Sequence, residues 1–340
     1  MPKNVTIKDI AAEAGVSIAL VSFVMNNRVG EDGKQKYRVN QITRDRILEV
    51  ARRLNYQPNA AARTLRSGKS RVIGAILSDI SNVFYGEIAK QLEENAFRQG
   101  YTVLFGSTDE SPEKLDRVVR SFIDKGVEGF IIVPCEGSEN SIRHIQNLGI
   151  PFVIMDRKDM DVAAHKVVLD NKAAMKSAVD ILLAKGFSKI EMLSYTMRVS
   201  SISEREEGFV GRMSEAGYGP EDARIHRLPF ENISESVANI IPDIVSSGVE
   251  GLVFATNSLA VAAIKKLCSM GIRLQQDIYL VGFDNSDVYD LFEPSIPHVR
   301  QPMDKLCEVA LDALFKLMQE GQPEEFTQFT LPAEVVNYKA

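Results

Sequence analysis

The chain has 340 residues, 45% of them hydrophobic and 25% charged, with a formal net charge of −6. No run of about 20 apolar residues is present and the N-terminus is polar, so neither a membrane span nor a signal peptide is expected, and the predicted location is cytoplasmic. Cys135, Cys268 and Cys307 stand apart, with no paired spacing for a disulfide framework or a zinc site, and no cofactor is expected.

The charge is unevenly placed. Residues 1–71 carry 14 Lys and Arg against 6 Asp and Glu, whereas the whole chain has 40 against 46. A basic head on an acidic body is the electrostatic footprint of phosphate contact. Within that head, residues 6–26 predict two short helices joined at Gly15. Thr6 is an N-cap with Asp9 three residues on, and Ile7, Ile10, Ala11 and Ala14 follow helical spacing. Ser17 caps the second helix, on which Val21, Val24 and Met25 form one apolar side. Ile18, Ala19, Ser22, Phe23 and Asn26 form the opposite face. Two helices in this arrangement place the second in the DNA major groove, although short amphipathic hairpins also occur without DNA.

A third helix follows, capped at Thr43, with Ile47, Leu48, Ala51 and Leu54 as its stripe. Residues 59–66 are Ala-rich and too short to be a stable helix alone, since isolated helices need roughly 12–15 residues. Gly68-Lys69-Ser70 ends like a phosphate-binding loop, but the first glycine and the preceding strand are lacking, so that motif is rejected.

From residue 71 the pattern becomes strand, loop, helix, repeated. Strands are predicted at 72–77, 102–106, 129–133, 151–155, 167–169, 189–193, 251–255 and 278–282, mostly as continuous apolar runs typical of buried parallel strands. Helices separate most of them, so the body reads as a doubly wound α/β fold long enough for two subdomains. Ligands in such sheets bind beyond the carboxyl ends of strands. Those ends carry Ser78 and Asp79, Asp109, Asp156 and Arg157, Ser194, Thr256 and Asn257, and Asp284 and Asn285. Helix capping accounts for some polar residues at these places in any α/β protein.

The order TIKDIA…AGVS…VS…N, LNYQPN, AARTLRSGKS, IGAILSDISN and VGFD resembles the lac repressor family of bacterial transcription regulators over essentially the whole chain. The resemblance implies an all-α helix-turn-helix head at 1–58 and a hinge at 59–70. It also implies an α/β effector-binding and dimerisation body at 71–340, similar to type I periplasmic binding proteins. The N-subdomain would comprise about 71–167 and 300–325, and the C-subdomain about 168–299 and 326–340, with 326–338 supplying a last strand to the latter.

By the same resemblance, Ile18, Ala19 and Phe23 occupy the base-reading positions, and Thr6, Ser17, Ser22 and Asn26 contact phosphates. Leu65 would be the wedge in the minor groove, with Arg63 holding phosphate nearby. Asp156, Arg205, Asn257 and Asp284 would hydrogen-bond an effector. Phe84, Tyr85 and Phe254 would supply its walls, with Ser201, Ser81 and Asn82 as second-rank contacts. Carboxylates and an arginine beside aromatic rings suit a sugar, and the same kit serves a nucleobase or nucleoside.

The chain departs from the family in four places. The reading face is apolar, the loop between Val29 and Val39 is long, Ser258 follows Asn257 where an acidic residue is common, and Tyr195 replaces a common proline. His298 reads as structural. No leucine heptad follows Tyr338, so a homodimer is expected and no tetramer coil. The implied function is a sequence-specific DNA-binding regulator, a repressor and not an enzyme, whose operator affinity follows a bound small molecule. The alternative is a small-molecule binding protein or sugar-modifying enzyme with an incidental basic head.

Overall fold

The computed structural model describes residues 5–25, 39–57, 68–219 and 221–337. The chain divides into two units, at 1–70 and 71–340.

In the first unit α1 (Ile7–Ala14) and α2 (Ile18–Met25) precede α3 (Gln41–Arg53). Asp9 accepts from the Thr6 backbone N–H at 2.8 Å and from the Thr6 hydroxyl at 2.7 Å, which anchors the start of α1. Gly15 ends it at φ 63°, the left-handed backbone that glycine adopts at low cost. The α3 cap is Asn40, not Thr43: its side chain accepts from the Ile42 N–H at 3.0 Å. Asparagine, three residues earlier, offers an amide oxygen as acceptor from a non-helical backbone, as a cap needs. Ile10, Ala11, Ala14, Val21, Val24, Ile47, Val50 and Ala51 form the core of this unit.

The body holds two six-stranded sheets. The first contains β1 (Val72–Leu77), β2 (Thr102–Ser107), β3 (Phe130–Ile132), β4 (Phe152–Met155), β5 (His165–Leu169) and β11 (Gln328–Leu331), in the order β11-β5-β4-β3-β1-β2. The second contains β6 (Ile190–Tyr195), β7 (Ile225–Leu228), β8 (Gly251–Phe254), β9 (Tyr279–Phe283), β10 (His298–Arg300) and β12 (Glu334–Val336), in the order β12-β10-β9-β8-β6-β7. All pairings are parallel except β10 with β12.

Helices cover both faces of each sheet, as parallel strands require. On the first sheet, α4 (Val83–Arg98) and α11 (Met303–Glu320) pack on Ile73, Ala75, Leu77, Ile131 and Val153. Opposite them, α5 (Pro112–Asp124) and α6 (Glu139–Asn147) pack on Ile76, Phe130, Ile132 and Phe152. The second sheet is sandwiched by α7 (Asn171–Leu183), α8 (Ser200–Glu215), α9 (Ile233–Ser246) and α10 (Asn257–Ser269), around a core that includes Phe254 and Phe283. Among the described residues no helix is long and apolar enough to cross a membrane.

The end of the chain corrects one expectation. The family resemblance predicts that residues 326–338 supply a last strand to the C-terminal subdomain, but Gln328–Leu331 pairs with β5 in the first sheet, and only Glu334–Val336 joins the second. Pro332 lies between them and cannot donate to a ladder, so the chain changes sheets there. The chain crosses between the sheets after β5, after β10 and again at Pro332. Strand β5 therefore also belongs wholly to the first sheet, beyond the expected boundary at 167.

Candidate functional site

The carboxyl ends of both sheets face one cleft. Ser78, Asp79 and Asn82 come from the turn after β1, Glu110 from the turn after β2, and Asp156 and Arg157 from the end of β4. From the second sheet come Tyr195 and Met197 after β6, Phe230 after β7, Thr256 after β8 and Asp284 after β9. Gln301, at the crossover after β10, completes the floor, while Ser201, Ile202 and Arg205 enter from α8. The free space is about 50 Å³, against the roughly 300–1,000 Å³ of common small-molecule sites. Admitting a ligand therefore requires the two subdomains to part or the side chains to shift.

Both arginines are buried and held. Arg157 donates to Glu110 from both terminal nitrogens, at 2.8 and 2.5 Å, and to the Pro134 carbonyl at 2.7 Å. Arg205 donates from Nε to Asn171 Oδ1 at 2.8 Å and from a terminal nitrogen to the Ala255 carbonyl at 2.6 Å. Its guanidinium carbon stands 3.9 Å above the Phe283 ring, a cation–π contact that fixes its plane.

The carboxylates are equally placed. Tyr85 donates its hydroxyl to Asp156 Oδ2 at 3.0 Å. Burial pushes the Asp156 carboxyl up from its ordinary pKa, and Arg157 and Arg205 offset this only partly. Burial next to Asp156 also lifts the Tyr85 phenol well above its ordinary value. Burial would raise Glu110 too, but hydrogen bonds and charge from Arg157 hold it below the usual range. Tyr195 shares a 3.0 Å hydrogen bond with Thr256 Oγ1, and burial pushes its phenol up to about 12. Asp156 and Asp284 both adopt left-handed backbone, at φ 68° and 64°, which turns their side chains back over the strand ends.

Several polar links join the subdomains beside the cleft, among them Asn285, which reaches Glu87 at 3.5 Å. The Lys158 N–H donates to Ser200 Oγ at 2.8 Å, and the Ser200 N–H donates to Asp159 at 2.5 Å. Lys158 also forms an ion pair with Glu204. On the other side Asn82 reaches Ser258 at 3.5 Å.

Most of the expected effector residues meet here: Phe84, Tyr85, Asp156, Ser201, Arg205 and Asp284 all line the cleft. Of the second-rank pair, Asn82 lines it while Ser81 stays exposed and bonds Asp79. Two expectations are corrected. Phe254 points into the core of the second sheet, because strand alternation turns it away from the face on which Arg205 lies; Phe230 supplies a ring to the wall instead, and Phe283 lies buried beneath Arg205. Asn257 is buried as the first residue of α10, where its N–H donates to Asp284 Oδ2 at 3.1 Å, so it supports a lining carboxylate and does not line the cleft. His298 is buried beneath Tyr289, with ring centroids 4.9 Å apart.

Sequence reasoning missed Glu110, Met197, Ile202 and Phe230. For Glu110 no local signal existed: Asp109 and Glu110 both sit at positive φ in the turn after β2, and that backbone, which residue type does not announce, delivers the second one inward. Phe230 follows β7, whose sequence Ile-His-Arg-Leu is too polar to read as a buried strand.

In the head, Thr6, Ser17, Ile18 and Ala19 are exposed and Ser22 is half-buried, on the side of α2 opposite Val21 and Val24. Ser17 Oγ accepts from the Leu20 N–H at 3.2 Å. Phe23 is partly buried and packs on the head's own core. Ile18 is 44% exposed, a large apolar side chain left in water on a helix that is apolar all round. Asn26, Arg63 and Leu65, with the expected hinge and most of the 29–39 loop, lie outside the described residues.

A helix-turn-helix head joined to a two-lobed α/β clamp defines a ligand-responsive DNA-binding regulator. Residues 6–59 match the model described as bacterial regulatory proteins, lacI family, and residues 179–337 match that of a periplasmic binding protein-like domain. The chain is 30% identical to the ribose operon repressor of Halalkalibacterium halodurans, covering 97% of this chain and 95% of the relative. It is also 30% identical to the HTH-type transcriptional repressor PurR of Vibrio atlanticus, covering 97% of each. Among solved structures it superposes on the Lac repressor bound to ONPG with a TM-score of 0.82, at 23% identity, covering 98% of this chain and 99% of that one. The chain belongs to the lacI family of bacterial regulatory proteins.

Proposed function

We propose that this protein is a cytoplasmic, homodimeric repressor whose affinity for operator DNA is set by an uncommitted small molecule held in the cleft, a sugar by preference. The observation that carries this reading is the convergence of strand ends from both sheets on one polar, aromatic-walled cleft. Asp156 and Asp284 accept hydrogen bonds from ligand hydroxyls, the remaining Arg205 nitrogen donates, and Phe84 and Phe230 cover an apolar ring face. A ligand bound to both lobes favours the arrangement in which it touches both, and DNA affinity follows by linkage. The relatives named for a ribose operon and as PurR support a sugar, with a nucleobase as the second reading, since the aromatic rings suit that as well.

On the DNA side, Thr6, Ser17, Ser22 and Asn26 hold phosphates, and Ile18, Ala19 and Phe23 meet base edges, apolar contacts of the kind that read thymine methyl groups. Leu65 wedges into the minor groove with Arg63 beside it. No catalytic role is assigned to any residue. Retention on a DNA column with and without residues 1–70 tests the head, and equal retention of both forms overturns it. A thermal-shift screen of sugars and nucleosides tests the cleft. Stabilisation by none of them would favour a body that serves only as a dimer scaffold.

A further inference from the structure

We infer that Glu110 is a built-in anion that occupies the fork of Arg157 and so makes the cleft reject phosphorylated and other anionic ligands. This rests on the reading of the cleft as the effector site and adds the charge class of what enters it.

A buried arginine in a ligand cleft is the usual receptor for a phosphate or carboxylate, which it grips through two parallel N–H donors. Here both terminal nitrogens of Arg157 already donate to Glu110, one to each carboxylate oxygen, at 2.8 and 2.5 Å. The pair is buried, with side-chain exposures of 6% for Arg157 and 15% for Glu110. Glu110 is itself held in place by the Ser78 hydroxyl, and Arg157 by the Pro134 carbonyl. Only Arg157 Nε is without a hydrogen-bond partner, and its nearest anion is Asp156 at 3.6 Å.

The rest of the cleft does not offset this. Asp79, Glu110, Asp156 and Asp284 face Arg157 and Arg205, so carboxylates outnumber cations among the lining residues. Arg205 is tied to Asn171 and a carbonyl and lies flat on Phe283, which leaves it a single nitrogen for a ligand hydroxyl. An entering dianion would have to displace Glu110 from a desolvated pair, or sit beside an acid surplus in low dielectric. Both are costly. An uncharged ring with hydroxyls meets neither penalty.

The test uses the full-length protein and matched pairs of probes, D-ribose with D-ribose 5-phosphate and adenosine with AMP, by calorimetry and thermal shift. The wild type should bind the neutral member of a pair and discriminate against its phosphate by about tenfold or more, the weight of a charge-assisted hydrogen bond. Glu110→Gln should relax this by about tenfold or more, because it keeps a hydrogen-bonding side chain but frees the Arg157 charge. Glu110→Asp, which keeps the negative charge, should retain the discrimination and serves also if the first variant fails to fold. A wild type that prefers the phosphate overturns the inference and leaves the effector reading intact, as does a folded Glu110→Gln with unchanged discrimination. Binding of no probe at all overturns both.

Discussion

Gln301 donates from its side-chain amide to Asp284 Oδ1 at 2.6 Å, across 17 residues of chain, and so joins a ligand-facing carboxylate to the crossover between the two sheets. The other oxygen of Asp284 accepts from the Asn257 N–H. Gln301→Ala strands a buried carboxylate oxygen, which costs about 1–3 kcal/mol, and thermal denaturation of the body should show the loss. Gln301→Glu should be worse at pH 7 than Ala, through repulsion between two buried carboxylates, and should recover on acidification. Equal melting of the Glu variant at both pH values would contradict the arrangement.

Asp156 carries the opposite sign from a salt-bridged acid. Burial raises its pKa in the folded state, so the folded protein holds its proton more tightly than the unfolded chain does. Its contribution to stability therefore worsens as pH rises from the ordinary aspartate range through the raised value, and the penalty is fully present only above that value. Asp156→Asn should melt higher than the wild type at pH 7, with the gap closing as pH falls below about 4. The same variant should bind the effector more weakly, because a charged acceptor is lost. A lower melting temperature at pH 7 would count against this account.

His165 should make the last strand of the first sheet acid-sensitive. Its Nδ1 accepts from the Thr327 N–H at 3.0 Å, which requires an unprotonated nitrogen there, and burial lowers its pKa. For a histidine shifted downward, the unfolded chain takes up the proton first, so stability is lost as pH falls from about 6.5 through the folded value. Hydrogen exchange in residues 327–331 should quicken between pH 7.5 and pH 5 relative to β3. His165→Gln should flatten that response, and an unchanged pH dependence in this variant would assign it to another group.

In the head, specificity and stability should separate cleanly. Ile10 is fully buried, and Ile10→Ala should cost about 2–5 kcal/mol. Ile18→Asn, on the exposed side of α2, should leave the melting curve within about 0.5 kcal/mol of wild type. It should also change the base preference recovered from a random DNA pool. Recovery of the same sequence by the variant would remove Ile18 from the reading face.

The sheet strands were legible because buried parallel strands are continuous apolar runs, and β1 was anticipated residue for residue. Of the edge strands only β2 was legible: β7, β11 and β12 are partly exposed, so their patterns are mixed, and the partner of β11 lies far back along the chain. The cleft was legible as a rule about strand ends, with a characteristic slip of one residue. Ser194 is buried while Tyr195 lines the cleft, and Asp109 stays outside while Glu110 enters. A side chain's facing at a strand end depends on how far the strand runs and on the backbone of the turn. Neither is set by local residue type alone. The Glu110–Arg157 pair spans 47 residues and had no local sign.

The late position of α11 and β11 has a consequence for synthesis on the ribosome. When residue 300 has been made, the second sheet lacks only its edge strand β12, whereas the first still waits for α11 on one face and β11 at its edge. Part of its apolar face, Ile131 and Val153 included, stays bare until the chain is almost complete. The lobe begun first therefore waits for both a helix and an edge strand while the lobe begun second waits for an edge strand alone, and nascent chains halted before α11 should need a chaperone that those halted after β11 do not.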